Sequence, residues 1–268
     1  VANSTGTFTQ TGGTATIGIL SMGGAAAATS PGTTATMSLT GGTLTLTTFN
    51  ALSAGDTSTS TINIGGTADV TLPNFPITRG SGSTAVLNID GGLIRNSATG
   101  TFISGLTSAT INNGGATFDT SLNSTTISQA LSAGTGSGGI TKLGTNTLTL
   151  SGANTYVGVT AINQGRLQFA NQESLYNNTP ANWTAANIKV LSGATLGLSV
   201  DTTGVAGFSA TSLDTLLANI SVANTATEGL QSGANLALDT ASSTTFTQGN
   251  AIGDSTGASG GTISLIKS

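Results

Sequence analysis

TKLGTNTLTLSGANTYVGVTAINQGRLQF, residues Thr141–Phe169, is the stretch on which the fold turns. Apolar residues recur at every second place, as in Leu148 and Leu150 or Leu167 and Phe169, and the breaks fall at Gly144, Gly152, Gly158 and Gly165. The stretch carries only two charges, Lys142 and Arg166. Period-two alternation places successive side chains on opposite faces of a strand, and glycine supplies the backbone freedom for sharp corners between strands.

Related units stand on both sides. They read FTQTGGTATI from Phe8, MSLTGGTLTL from Met37, INIGGTADVTL from Ile62, LNIDGGLIRN from Leu87, INNGGATF from Ile111, INQGRLQF from Ile162 and IKVLSGATLGL from Ile188. Anchored on Gly13, Gly42, Gly66, Gly92, Gly114, Gly165 and Ala194, they recur about every 26 residues. The interval from Gly114 to Gly165 counts as two units, with LGTNTLTLSG from Leu143 inside it. Two and four places after the anchor stand apolar pairs such as Leu44 and Leu46, Ala68 and Val70, or Ala116 and Phe118. Before it stand turn formers, Thr11, Thr40, Asp90, Asn112, Asn163 and Ser192, whose short side chains bond to their own backbone. An antiparallel barrel or sandwich also uses short alternating strands, but at spacings of about 8–12 residues. The longer period, with like residues at like offsets, fits a parallel β-helix, an all-β solenoid of about ten coils. Each coil then stacks on the last at about 4.8 Å and buries a continuous inner ladder of Ile, Leu and Val.

Composition narrows the function. Of 268 residues only 6% are charged and 4% aromatic, whereas 37% are apolar, and the net charge is −4. Disorder pairs low hydrophobicity with high net charge, so the chain folds. Histidine and cysteine are absent, which removes imidazole and thiolate metal ligands, cysteine nucleophiles and any Ser-His-Asp triad. An extracellular chain without disulfides relies on repetitive backbone hydrogen bonding. Six scattered basic residues make no phosphate-tracking stripe, and no apolar run is long enough to span a bilayer as a helix. No basic-then-apolar leader opens the chain; the expectation is that a leader was removed or that this is an excised segment.

The stretch Gly138–Asn171, GGITKLGTNTLTLSGANTYVGVTAINQGRLQFAN, resembles the passenger-associated transport repeat of autotransporter proteins. The matching positions are Gly138, Gly139, Thr141, Lys142, Gly144, Thr147 to Gly152, Asn154, Thr155, Tyr156, Gly158, Gly165 and Leu167, with a departure at Val159. The resemblance implies a secreted, right-handed parallel β-helix within a large surface protein of Gram-negative or related bacteria, and a segment associated with passenger export and folding instead of catalysis. The C-terminal TISLIKS, from Thr262, lacks the amphipathic strand series of an outer-membrane barrel.

Three domains are expected: coils over 1–200 with the repeat at 138–171, a helical insertion over 201–230, and further coils over 231–268. In ATSLDTLLANI, from Ala210, Leu213, Leu216, Leu217 and Ile220 fall at helical spacing. A short lateral helix is expected near 211–220, with Thr211 as cap and Asp214 three residues on. ANQESLYNNTPANWTAANI, holding Glu173, Pro180 and Trp183, reads as a loop or short helix bulging from one coil. Beyond Thr225, ANLALD, TTFTQ and TISLI read as resumed strands. Coil ends without an amphipathic cap expose unpaired backbone groups that template pairing with another chain. The partners expected are therefore a second copy, stacked end to end, or a longer rod of which this chain is part.

A glycosidase needs two carboxylates about 6.5–9.5 Å apart; the candidates are Asp56, Asp69, Asp90, Asp119, Asp201, Asp214, Asp239, Asp254, Glu173 and Glu228. Asp69 and Arg95 share one offset on successive coils and are expected to form a surface ion pair. Thr14 and Thr16 align with Thr43 and Thr45 as an ice-binding ladder would require, but Asp69, Leu93 and Arg95 end that array after two rows. GGAAAATSPG, from Gly23, lacks the strand–helix setting of a dinucleotide loop. No catalytic, cofactor-binding or metal-binding residue is therefore assigned and no cofactor is expected. The function expected is a non-enzymatic stalk, passenger stem, filament unit or adhesin at the cell surface. The alternatives are a β-helix that binds or degrades carbohydrate, with a surface glycan as partner, and an adhesin that self-associates between cells.

Overall fold

The computed structural model describes residues 4–23, 32–52, 57–75, 82–202, 207–240 and 245–267. Asp56 and most of the segment after Gly23 lie outside them. The first turns are long strands bent at a glycine corner: β1 (Thr5–Met22), β2 (Thr34–Leu52), β3 (Thr59–Leu72) and β4 (Thr84–Asn96). The following turns divide into shorter strands. These are β5 (Gly100–Ile103), β6 (Ser108–Ile111), β7 (Ala116–Asp119), β8 (Thr125–Ile127), β9 (Leu131–Ala133), β10 (Ile140–Leu143) and β11 (Thr147–Leu150). Then come β12 (Thr160–Ile162), β13 (Arg166–Phe169), β14 (Ile188–Val190) and β15 (Thr195–Val200). After helix α1 (Ala210–Ile220) follow β16 (Gly229–Leu230), β17 (Asn235–Thr240) and β18 (Ser264–Lys267).

Strands pair in parallel with their equivalents one turn away, and the whole is a right-handed parallel β-helix of about nine turns. Three faces result. The N-terminal halves of β1 to β4 continue into β6 and β9 as the first face. The C-terminal halves continue into β7, β10, β12, β14 and β16 as the second. The third face runs β5, β8, β11, β13, β15, β17, β18. The count falls one short of the ten expected because the segments before β14 and β16 consume chain without adding a turn.

The inner ladder of the second face can be followed through every turn: Ala15, Leu44, Val70, Ile94, Phe118, Lys142, Ile162, Val190, Leu230. Burying each leucine, isoleucine, valine or phenylalanine of this column stabilises the fold by about 1.5–3 kcal/mol. Lys142 is the exception in this column and is itself fully buried, at 0% exposure.

Several expectations change in detail. The left-handed corner residue is Gly115, not Gly114, and Gly193, not Ala194. Register shifts occur at the Gly66 corner, so Asp69 lies opposite Leu93 and Arg95 opposite Thr71. The offset is two residues, which preserves the face of every side chain. TTFTQ forms no strand over its described residues, 245–248. The helix is capped by Ser209, not Thr211: extended Ser209 accepts from the Ser212 N–H, while Thr211 lies inside the first turn and its carbonyl accepts from Thr215. The four apolar residues at helical spacing are all buried. ANQESLYNNTPANWTAANI forms three single turns, Gln172–Ser174, Tyr176–Asn178 and Pro180–Asn182. Its tryptophan turns inward: Trp183 packs on Phe208 at 5.8 Å and donates from Nε1 to the Leu175 carbonyl.

Candidate functional site

Two clusters combine polar side chains from several turns. The first is the expected ion pair, enlarged. Arg95 binds Asp69 diagonally and, through Nε at 2.9 Å, also binds Asp119, its in-register partner on β7. Offset counting missed Asp119 because it follows a different corner. Burial works against ionisation of Asp119, but the Ser121 N–H at 2.8 Å and the Arg95 guanidinium outweigh it, holding the carboxyl below the usual carboxylate range. A glycosidase acid needs the opposite, a carboxyl whose proton is retained at neutral pH. The arrangement acts as a brace across three turns.

Among the other described carboxylates, Asp214 and Asp254 line one surface pocket and Asp201 and Asp239 another, and most are engaged by local donors. Asp90 accepts from Gly114 N, Asp214 from Gln248 and Asn250, and Asp239 from Arg166. Asp254 accepts from Ile263 N and Glu228 from Asn224 N. Among the described residues no three acidic side chains converge as metal ligands. No helix among them is long and apolar enough to cross a membrane.

The second cluster begins in the stretch Thr141–Phe169. β10 alternates Ile140 in, Thr141 out, Lys142 in, Leu143 out. Parity therefore carries an ammonium into the apolar column. Its Nζ donates to the carbonyls of Leu143 (2.8 Å), Gly144 (2.7 Å) and Gln164 (3.1 Å). Gln164 belongs to the next turn and returns the contact, its Oε1 accepting from Gly144 N at 3.0 Å. Two successive corners thus close around one cation, and three corner carbonyls gain a donor, that of Leu143 in addition to the Thr120 N–H. Burial pushes Lys142 down to about 8, with the Asp119 charge acting the other way. The corner tolerates no side chain: Gly144 and Gly165 are left-handed, at φ 78° and 60°, and a Cβ on Gly165 would strike the Gly144 carbonyl.

After β11 the chain turns outward, and Asn154, also fully buried, ties three turns together. Its Oδ1 accepts from Leu131 N (2.9 Å), its Nδ2 donates to the Ser174 carbonyl (2.8 Å), and its own N–H donates to the Glu173 carbonyl (3.0 Å). Tyr156 and Tyr176 pack with centroids 5.1 Å apart and share Thr160: Tyr156 bonds its hydroxyl at 2.7 Å, and Tyr176 accepts from its N–H at 3.1 Å. Burial keeps both phenols protonated, raising Tyr156 and pushing Tyr176 up to about 12. The chemistry available here is cohesive: donors and acceptors from adjacent turns satisfy one another away from water.

The segment that holds this cluster has a recognisable counterpart. Residues 140–169 match the family described as the Passenger-associated-transport-repeat. No curated protein and no solved structure matches the chain.

Proposed function

We propose that this chain is a length of passenger stem: a non-enzymatic, extracellular rod that carries or spaces other parts of a bacterial surface protein. The observation that carries the reading is the unbroken inner ladder, running through the one segment that matches a passenger repeat and pinned there by Lys142 and Asn154. Nine stacked turns make a rod about 43 Å long, stiff because each turn bonds to its neighbours along the axis. The repeat's place in this reading is to secure turns during export, since its polar side chains bridge neighbouring turns. Association with a second copy along β1 belongs to the same reading: β1 is paired on one side among the described residues, and Phe8, Ala15 and Ile17 beneath it are only partly buried.

The test places the chain ahead of an autotransporter translocator in a Gram-negative host and compares it with Lys142→Ala and Asn154→Ala. Surface display of protease-resistant passenger should fall while total synthesis is unchanged. Equal display of all three would refute a role for the repeat in export, and a purified chain that images as a non-rod particle would refute the stem.

A further inference from the structure

The corner between β6 and β7 brings three turns together around an exposed amide. It reads Asn112, Asn113, Gly114, Gly115 and closes as a β-turn, with Gly115 N donating to the Asn112 carbonyl at 2.9 Å. Asn113 and Gly114 are exposed, and they form the only Asn-Gly pair in the chain. From the turn before, the Asp90 carboxylate accepts from the Gly114 N–H at 2.6 Å. On the turn after, the Asn113 side chain lies against Gly136, where a Cβ would come within 2.6 Å of it. The neighbouring Asn112 is engaged differently, its Oδ1 accepting from Thr135 N at 2.9 Å.

An asparagine carboxamide is open to attack by the backbone nitrogen that follows it, because the two close a five-membered ring. Two obstacles oppose the attack. The next side chain crowds the nitrogen, and an amide N–H is a poor nucleophile until its proton leaves. Glycine removes the first obstacle. A carboxylate on the N–H removes the second by acting as general base. At two other places only one obstacle is lifted. Glu228 accepts from the N–H after Asn224 at 3.1 Å, but that N–H belongs to β-branched Thr225. Gly91 follows Asp90, but its N–H donates to the Gly115 carbonyl at 2.8 Å and meets no carboxylate. We propose that Asn113-Gly114 is a self-modifying site for which Asp90, one turn away, is the base. Asp90 takes the Gly114 amide proton, the nitrogen bonds to Asn113 Cγ, and the Cγ–Nδ2 bond breaks. The leaving nitrogen takes that proton from Asp90 and departs as ammonia. Solvent water then opens the ring at either carbonyl, leaving aspartate or isoaspartate. Isoaspartate lengthens the main chain of the corner by a methylene, and either product adds a carboxylate close to Asp90, where like charges repel. The corner follows the last of the long bent strands, so the reaction loosens the rod with age where its divided turns begin.

The test holds the purified full chain near neutral pH in heavy-oxygen water and follows it by peptide mapping with mass spectrometry, with isoaspartate read by enzymatic methylation. Residue 113 should lose its amide, gain one labelled oxygen and yield isoaspartate. The folded chain should react faster than the same chain unfolded in guanidinium chloride, where Asp90 and Asn113 are apart. Asp90→Ser, whose hydroxyl accepts from the N–H but is no base, should slow the folded chain by about 10²-fold, the low end for a positioned general base. Asp90→Thr, which places there the residue found before the Gly41 corner, is the second variant if circular dichroism shows that Asp90→Ser does not fold. An amide at residue 113 that persists in the folded chain would overturn the proposal, as would a folded rate no greater than the unfolded one. Equal rates in the unaltered chain and the folded variant would also overturn it, by removing Asp90 from the chemistry.

Discussion

Lys142 shows how much a single residue can depend on its parity. Counting by twos from Ile140 places it inside, yet a lysine in an aliphatic column violates the rule that buried charges need partners. The conflict is resolved by three carbonyls from two corners, and such partners cannot be found by counting along one strand. Lys142→Ala should destabilise the fold by about 2–5 kcal/mol in urea unfolding, since it opens a cavity and leaves the buried Gly144 carbonyl without this donor. Lys142→Met, which refills the column without supplying donors, should cost less. The pH dependence has a definite sign. Below about 8 both folded and unfolded chains hold this proton. Between there and the ordinary lysine value near ~10.4 the unfolded chain holds more protons, so this group makes stability rise with pH. Tm measured from pH 7 to 10 should show that rise in the unaltered chain relative to Lys142→Met; parallel curves would contradict it.

Among the elements, the helix was the most legible and its start the least. The four apolar positions of α1 follow directly from 3.6-residue periodicity. The cap did not, because Ser209, Thr211 and Ser212 are all chemically competent, and only the extended backbone at Ser209 aims its oxygen at a free N–H. Ser209→Ala should therefore lower stability by about 1 kcal/mol, while Thr211→Ala should be nearly neutral; equal losses in urea unfolding would return the cap to Thr211. The sequence places the Trp183 segment in a loop or short helix bulging from one coil. Its inward anchors, Tyr176 and Trp183, close on Thr160 and Phe208, residues in other parts of the chain.

For the whole molecule, the nearest-neighbour logic of a solenoid makes stability local. Hydrogen exchange should be slowest in β10 to β17, whose inner residues are almost wholly buried, and fastest in β1, whose core positions are partly open; uniform protection along the rod would contradict stacking by independent turns. The parallel coil and the inward or outward sense of most side chains were determined by the sequence alone, because period-two alternation and turn chemistry act over a few residues and repeat. Only the tertiary structure decided which residues meet between turns. Arg95 finds Asp119 as well as Asp69, Lys142 finds Gln164, and the threonines of the first face fall into columns. Inter-turn register depends on how much chain each corner and insertion consumes, and shifts such as the one at Gly66 accumulate from turn to turn without leaving a local mark.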